Sequence, residues 1–363
     1  MGPKGTLGKE TDVEPLPRSL PAPHETQTYQ PRRGCAHGTR AEQMTKPLGD
    51  AVRVARMYYY GERTTQEIAE ELGVSRSRVS RLLKLAKAEG LVEIRVVDPG
   101  VQVKGLERDI ADRFGVSEVH VVDVPEAAGE REWLGRVATV AAAYLNTLLT
   151  DGTTLAVAWG TTVSAISERL NVKPLKNVQV VQLNGSGNSH DSGLLYTAEI
   201  LRHFAEAYGA ATHPFPVPTF FDFPETKRAL WLERSVGRIL ALQRQADVLL
   251  YSIGAFEAGV PSHVYNGGYL EATDHAELRR EGVVGDIATV FFRADGSFED
   301  IPLNTRASGP DLSLFTRAER AVCVVSGRGK VAGLRAALTG GFLKQLIVDE
   351  PTARLLCKSS RSR

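Results

Sequence analysis

The chain has 363 residues, 42% of them hydrophobic and 24% charged, with a formal net charge of +1. That length suits two or three domains of ordinary globular composition. The near-neutral balance excludes a global basic field, so any nucleic-acid surface has to be a local patch.

Residues 1–46 carry Pro3, Pro15, Pro17, Pro21, Pro23 and Pro31 with few periodic apolar residues, and read as a disordered Pro-rich tail. From Pro47 the pattern changes: Leu48, Val52, Ala55 and Tyr59 recur at helical spacing, and Gly61 closes that helix. A second helix is predicted in "TTQEIAEELG", with Thr65 as N-cap and Ile68, Ala69 and Leu72 as its apolar stripe. After Gly73 and Val74, Ser75 caps a third helix that runs to about Glu89 and stops at Gly90. "LVEIRVV" alternates as a strand, and Pro99-Gly100 follows it.

A linker helix is expected over 100–116, with Leu106, Ile110 and Phe114 on one face. Over 117–357, strands alternate with amphipathic helices: "EVHVVDV", "TTLAVAW", "VQVVQLNG", "DVLLYSIG", "DIATVFF", "AVCVVSG" and "QLIVD" are the strand segments. Continuous apolar strands in such an alternation imply a mostly parallel sheet covered on both faces. Residues 358–363 form a short tail.

On a helix of 100° per residue, Val79, Leu82, Leu83 and Ala86 fall on one side of the third helix. Ser77, Ser80, Arg81 and Lys84 fall on the other, flanked by Arg76, Arg78 and Lys87, with no acid between Arg76 and Lys87. The helix before it presents Glu67, Glu70 and Glu71, so the basic charge is concentrated on one element. Two helices joined by a short Gly-containing turn form a helix-turn-helix, whose second helix enters the major groove. Arginines can pair with guanine edges and serines with bases or phosphates. Thr65, Gln66, Ser75, Arg76, Ser77, Arg78, Ser80, Arg81 and Lys84 are therefore the expected contacts to double-stranded operator DNA, with the following strand as a candidate wing.

In open parallel sheets, ligands bind at the carboxyl ends of the strands. "AVAWGTTVSAI" is such an end: Gly160 admits close backbone approach, and Thr161 and Thr162 open a helix whose N-terminus favours an anion. Other strand ends supply Asn184 and Gly185, Ser252 and Gly254, and, in "VVSGRGK", Lys330, a point charge suited to phosphate. Asp286 stands at a strand start, where it can hold sugar hydroxyls. "SGRGK" lacks the spacing of a nucleotide-hydrolysing P-loop, and "GSGNSHDSG" does not fit a dinucleotide fingerprint. His190 and Asp191 lie in that latter loop without a nucleophile elbow. Cys35, Cys323 and Cys357 are too widely spaced for a disulfide framework or a zinc site, so no metal and no cofactor are expected. No apolar run reaches the about 18 residues of a membrane span, and the start lacks the core of a secretion signal. A cytoplasmic protein with no membrane partner is the expectation.

The stretch "YYYGERTTQEIAEELGVSRSRVSRLLKLAKAEGLVEIRV" resembles the DNA-binding end of the SorC family of bacterial sugar-responsive transcriptional regulators. "AVAWGTTV", "VVQLNGSG", "GVVGDIATVFF", "SGRGKVAGLRAAL" and "IVDEPTARLL" resemble that family's effector domain, and the resemblance covers roughly residues 48–357. It implies an effector domain similar to sugar-phosphate isomerases but without catalysis, a phosphorylated sugar or polyol as effector, and homodimers or homotetramers on repeated operator sites. It also implies that Gly160, Thr161, Thr162 and Lys330 contact phosphate and that Asp286 holds sugar hydroxyls. Asn184 matches a position where some members place an arginine. The rival reading is a sugar-phosphate isomerase or deaminase with an accessory helix-turn-helix; it needs an acid/base pair, and only Asp286 offers one half of it.

Overall fold

The computed structural model describes residues 40–92, 99–188, 194–256, 258–260 and 262–358. The chain divides into two compact units between Val96 and Val97.

The first unit is three helices, α1 (Arg40–Tyr59), α2 (Thr65–Leu72) and α3 (Arg76–Ala88). Helix α1 begins at Arg40 and carries Pro47 inside it, so helix reaches into the stretch expected to be tail. The cap of α2 is Thr64, not Thr65: the Thr64 hydroxyl accepts from the Glu67 amide, and the Glu67 carboxylate accepts from the Thr64 amide at 2.8 Å. Gly73 ends α2 at φ +61°, the left-handed conformation that turns the chain towards α3. Ser75 caps α3, accepting from the Arg78 amide at 3.3 Å. Val79 and Ala86 are buried, the first against Val54, Ile68 and Ala69, the second against Ala51 and Ala55. The wing expected after α3 falls mostly on 93–98, outside the described residues.

The second unit begins with α4 (Pro99–Phe114), which stops two residues short of the end of the linker helix expected over 100–116. It does not stand apart: Ile110 is fully buried in the second unit's core, with Leu106 and Phe114 packed around it. Then follow β1 (Glu118–Val122), α5 (Glu130–Leu148), β2 (Thr154–Val157), α6 (Thr161–Ser167), β3 (Gln179–Gln182), α7 (Leu194–Tyr208) and β4 (Ala211–His213). Next come α8 (Pro224–Trp231), α9 (Arg234–Arg244), β5 (Val248–Tyr251), β6 (Ile253–Gly254), α10 (His263–Asn266), α11 (Ala272–Arg280), β7 (Val283–Ile287) and β8 (Val290–Arg293). The unit ends with α12 (Ser313–Arg317), β9 (Ala321–Val325), α13 (Val331–Thr339), β10 (Gln345–Asp349) and α14 (Glu350–Lys358).

Seven strands form one sheet in the order β1-β10-β9-β5-β2-β3-β4, every neighbouring pair parallel. Successive strand residues feed opposite faces. Leu155, Val157, Leu250, Val322 and Ile347 join the core under α5, α6 and α7. Ala156, Leu249, Cys323, Leu346 and Val348 join the core under α4, α9, α13 and α14. Both faces are dry, so the strands read as continuous apolar runs. From β2 the chain steps outward to β3 and β4, then returns to β5 on the other side of β2. That reversal opens a crevice at the carboxyl ends of β2 and β5.

"DIATVFF" is not one strand of the parallel sheet. It folds back at Ala288 and Thr289, both at positive φ, so that β8 pairs antiparallel with β7, and β7 antiparallel with β6, in a separate three-stranded sheet.

Candidate nucleic-acid interface and effector cavity

On α3, Arg76, Ser77, Arg78, Ser80, Arg81 and Lys84 are exposed. The cluster is internally organised. Ser75 and Ser77 hydroxyls lie 3.0 Å apart, and Arg81 Nε donates to the Ser77 carbonyl at 3.4 Å. Arg76 Nε donates to Thr65 Oγ1 at 3.2 Å, which ties the starts of the two helices together, while Gln66 Nε2 donates to Glu70 on its own helix. An acid does reach the basic face: Asp50 on α1 stands 3.7 Å from Arg78. Both partners are exposed, so this pair is weak, at most about 1 kcal/mol, and a phosphate can displace it.

In the second unit a small cavity of about 40 Å³ lies where the carboxyl ends of β2, β3, β5 and β9 meet β6, β7 and α10. Gly160, Thr161, Thr162, Asn184, Ser252, Asp286 and Lys330 all line it, so loops far apart in sequence converge. Gly160 adopts φ +144°, which favours glycine, and opens α6. Lys330 follows β9, is 6% exposed, and reaches Thr162 Oγ1 and Ser252 Oγ at 3.5 Å each. Ser252 donates to Thr162 at 3.1 Å. Burial lowers the Lys330 ammonium from its ordinary pKa, and the nearby Cys323, Asp286, Glu130 and Asp349 groups pull it back up.

The loop that carries Lys330 is clasped by two carboxylates. Asp349, at the end of β10, accepts from the Gly327 amide at 2.9 Å, and Glu130, at the start of α5, accepts from the Arg328 amide at 3.0 Å. Asp286 is 3% exposed; burial pushes its carboxyl up to about 6, against the Thr289 amide, the adjacent Tyr265 hydroxyl and the Lys330 charge. Its Oδ2 accepts from Thr289 at 3.1 Å, but Oδ1 has no hydrogen bond of normal geometry. Gly254 is required beside it, because a Cβ there would lie 1.9 Å from Oδ1. Asn184 is 1% exposed, and both its amide nitrogen and its amide oxygen lack partners. A buried amide or carboxylate oxygen without a partner costs about 1–3 kcal/mol, so these atoms are set for something that enters the cavity.

Gly185 does not line the cavity. Its carbonyl accepts from Trp159 Nε1 at 2.8 Å and from Thr219 at 2.9 Å, and its amide donates to Ser308 at 2.9 Å. A Cβ there would strike the Val217 carbonyl at 2.3 Å, so the glycine serves packing. Sequence reasoning missed Ser262, His263 and Thr289, which add polar side chains to the lining. His190 and Asp191 lie outside the described residues.

Comparison with known proteins bears on both units. Residues 101–358 match the family model described as "Putative sugar-binding domain", and residues 53–87 match that of "Sigma-70, region 4". The chain is 36% identical over 308 residues to the deoxyribonucleoside regulator of Bacillus subtilis, covering 84% of this chain and 96% of that protein. A solved domain of a possible sugar-binding transcriptional regulator from Arthrobacter aurescens is 44% identical, with a TM-score of 0.67 over 72% of this chain and all of that one. The full-length sorbitol operon regulator SorC of Klebsiella pneumoniae shares the fold, with a TM-score of 0.64 over 86% of this chain and all of that one, at 24% identity.

The chain belongs to the SorC family of sugar-binding transcriptional regulators. It is a transcriptional regulator with a helix-turn-helix domain and a sugar-binding domain, and its relatives are named as regulators, not enzymes. Among the described residues no helix is long and apolar enough to cross a membrane.

Proposed function

We propose that α3 reads operator DNA and that a phosphorylated sugar or polyol in the cavity controls that reading. The observation that carries the effector half is the buried Lys330 ammonium against Thr162 and Ser252, with the unpaired amide of Asn184 and the buried Asp286 carboxyl on the same cavity. Lys330, Thr161 and Thr162 suit a phosphate, Asp286 suits sugar hydroxyls, and Asn184 adds a neutral donor where an arginine would add charge. The name of the Bacillus subtilis relative favours a pentose of the deoxyribose class over a hexose. Ser77, Ser80, Arg81 and Lys84 form the reading face, with Arg76, Arg78, Thr65 and Gln66 at its border. One recognition helix covers one half-site, so an operator of repeated sites calls for a homodimer or homotetramer. A protein that reads chromosomal DNA acts where that DNA is, so this reading implies the cytoplasm.

Thermal shift of the full chain against phosphorylated and free pentoses, hexoses and polyols tests the effector half. An effector at about 100 times its dissociation constant stabilises the domain by about 2.7 kcal/mol, and the same compound should shift a gel-retardation titration with DNA from upstream of the neighbouring operon. Stabilisation by no phosphorylated compound overturns the effector assignment. No retarded band at any salt overturns the DNA assignment.

A further inference from the structure

The effector cavity is short of positive charge. Among the described residues that line it, Lys330 is the one fixed cation, Asp286 is an acid, and Asn184 is a neutral amide. A phosphate dianion that met Lys330 alone, beside Asp286, would be enclosed with much of its charge unmatched, which is costly.

One other lining side chain can become a cation. His263, at the start of α10, stands on the cavity wall next to Ser262. Its ring lies against the Tyr196 ring of α7, with centroids 4.8 Å apart at 37°. Tyr196 in turn meets Trp159 edge-on at 6.5 Å, and Trp159 is fixed by its bond to the Gly185 carbonyl at 2.8 Å. Stacking thus holds the imidazole in place, while its ring nitrogens make no hydrogen bond among the described residues. Partial burial keeps the ring below its ordinary pKa, so it is neutral at pH 7 while the cavity is empty. The ionisable groups around it are Tyr196 from α7, Asp286 from β7, Lys330 after β9 and Tyr265 on its own helix.

We propose that His263 is a second anion-binding residue of the cavity, taking up a proton as an oxyanion enters. The proposal rests on the effector reading above. Protonated His263 and Lys330 together balance a dianion. A bound anion favours the charged ring and raises its pKa, so by linkage the anion binds more tightly at low pH. That gain is lost as the pH rises through the pKa of the occupied form. Asp286, which titrates near 6, adds a dependence of the same sign and has to be separated from it.

Inorganic sulfate is the probe, because it stays a dianion from about pH 5.5 to about pH 8 and adds no titration of its own. The full chain, labelled with carbon-13 at histidine, is titrated over that range by NMR with and without sulfate, and His263→Gln identifies the resonance. The His263 signal should titrate at higher pH when sulfate is bound. In isothermal titration, Asp286→Asn should still bind sulfate about tenfold tighter at the acid end of the range than at the alkaline end, and adding His263→Gln should abolish that gain. A His263 signal whose titration bound sulfate leaves unmoved overturns the proposal. So does a loss of affinity in His263→Gln that is the same at both ends of the range, which marks a neutral hydrogen bond. If sulfate binds at no pH, the proposal falls. A sugar phosphate that still stabilises the chain then leaves the effector reading standing, and if none does, both fall.

Discussion

Replacing Asp286 by Asn should make the sugar-binding domain more stable at neutral pH while weakening its hold on the effector. Asp286 is 3% exposed, and its pKa rises from the ordinary 3.8 to about 6 because burial disfavours the carboxylate. A raised carboxyl pKa means that the folded state binds the proton more tightly than the unfolded one. The stability from this group is therefore fully present below about pH 4 and is lost as the pH rises through 6. At about 1.4 kcal/mol per unit, the loss at pH 7 amounts to about 3 kcal/mol. Asn keeps the shape, and its amide oxygen can still accept from Thr289, but it carries no charge to bury. Denaturant unfolding from pH 4 to pH 7.5 should show the wild-type protein losing stability across that window and Asp286→Asn with most of that slope gone. The two should converge near pH 4 and separate by up to about 3 kcal/mol at pH 7. An unchanged slope in the variant, or a variant less stable than wild type at pH 7, refutes the reasoning.

Arg81→Ala should weaken specific operator binding by about 1–3 kcal/mol in a gel-shift titration, because its guanidinium stands on the exposed face of α3. Lys84→Ala, as a phosphate contact, should weaken all DNA alike and lower the slope of log affinity against log salt by about 1. Thr64→Ala removes the cap of α2 and should cost about 1 kcal/mol of stability in denaturant unfolding, where Thr65→Ala should cost less. Gly185→Ala drives a Cβ to 2.3 Å from the Val217 carbonyl and should destabilise the domain by about 3 kcal/mol or more, measured the same way, despite its distance from the cavity lining.

The reading helix was legible because a helix has one period and one buried side. Val79 and Ala86 had to face inward, and that assigned Ser77, Arg81 and Lys84 to the outside. The cap of α2 was misplaced by one residue where two threonines adjoin; the deciding signal was Glu67, which stands three positions after Thr64, the spacing of a capping box, and only two after Thr65. Ala288 and Thr289 hid the β7–β8 hairpin, since left-handed turns are expected at Gly, Asn or Asp. Thr162, Ser252 and Lys330 were found as polar residues at strand ends. Gly185 met the same description, yet its bonds to Trp159, Thr219 and Ser308 point it into the packing. Ser262 and His263 follow no strand of the sheet, and only the folded chain brings them to the cavity.

The unpaired atoms of the cavity bear on selectivity as well as stability. Asn184 Nδ2 and Oδ1 are buried with no protein partner, and the Asp286 carboxylate has only the Thr289 amide and the adjacent Tyr265 hydroxyl. A site built of unmatched polar groups rejects an analogue that lacks one hydroxyl far more strongly than an apolar pocket rejects one that lacks a methylene. At about 40 Å³ the cavity is small for the proposed sugar phosphate, so that reading calls for some of the loops that wall it to move on binding. The loop before Lys330 is tied at the Gly327 amide to Asp349, which precedes α14, and at the Arg328 amide to Glu130, which begins α5, so a displacement of that loop pulls on the ends of two helices packed on opposite faces of the sheet. An effector that binds only the opened arrangement stabilises that arrangement by its full differential affinity, which is the physical requirement for a ligand to switch a regulator.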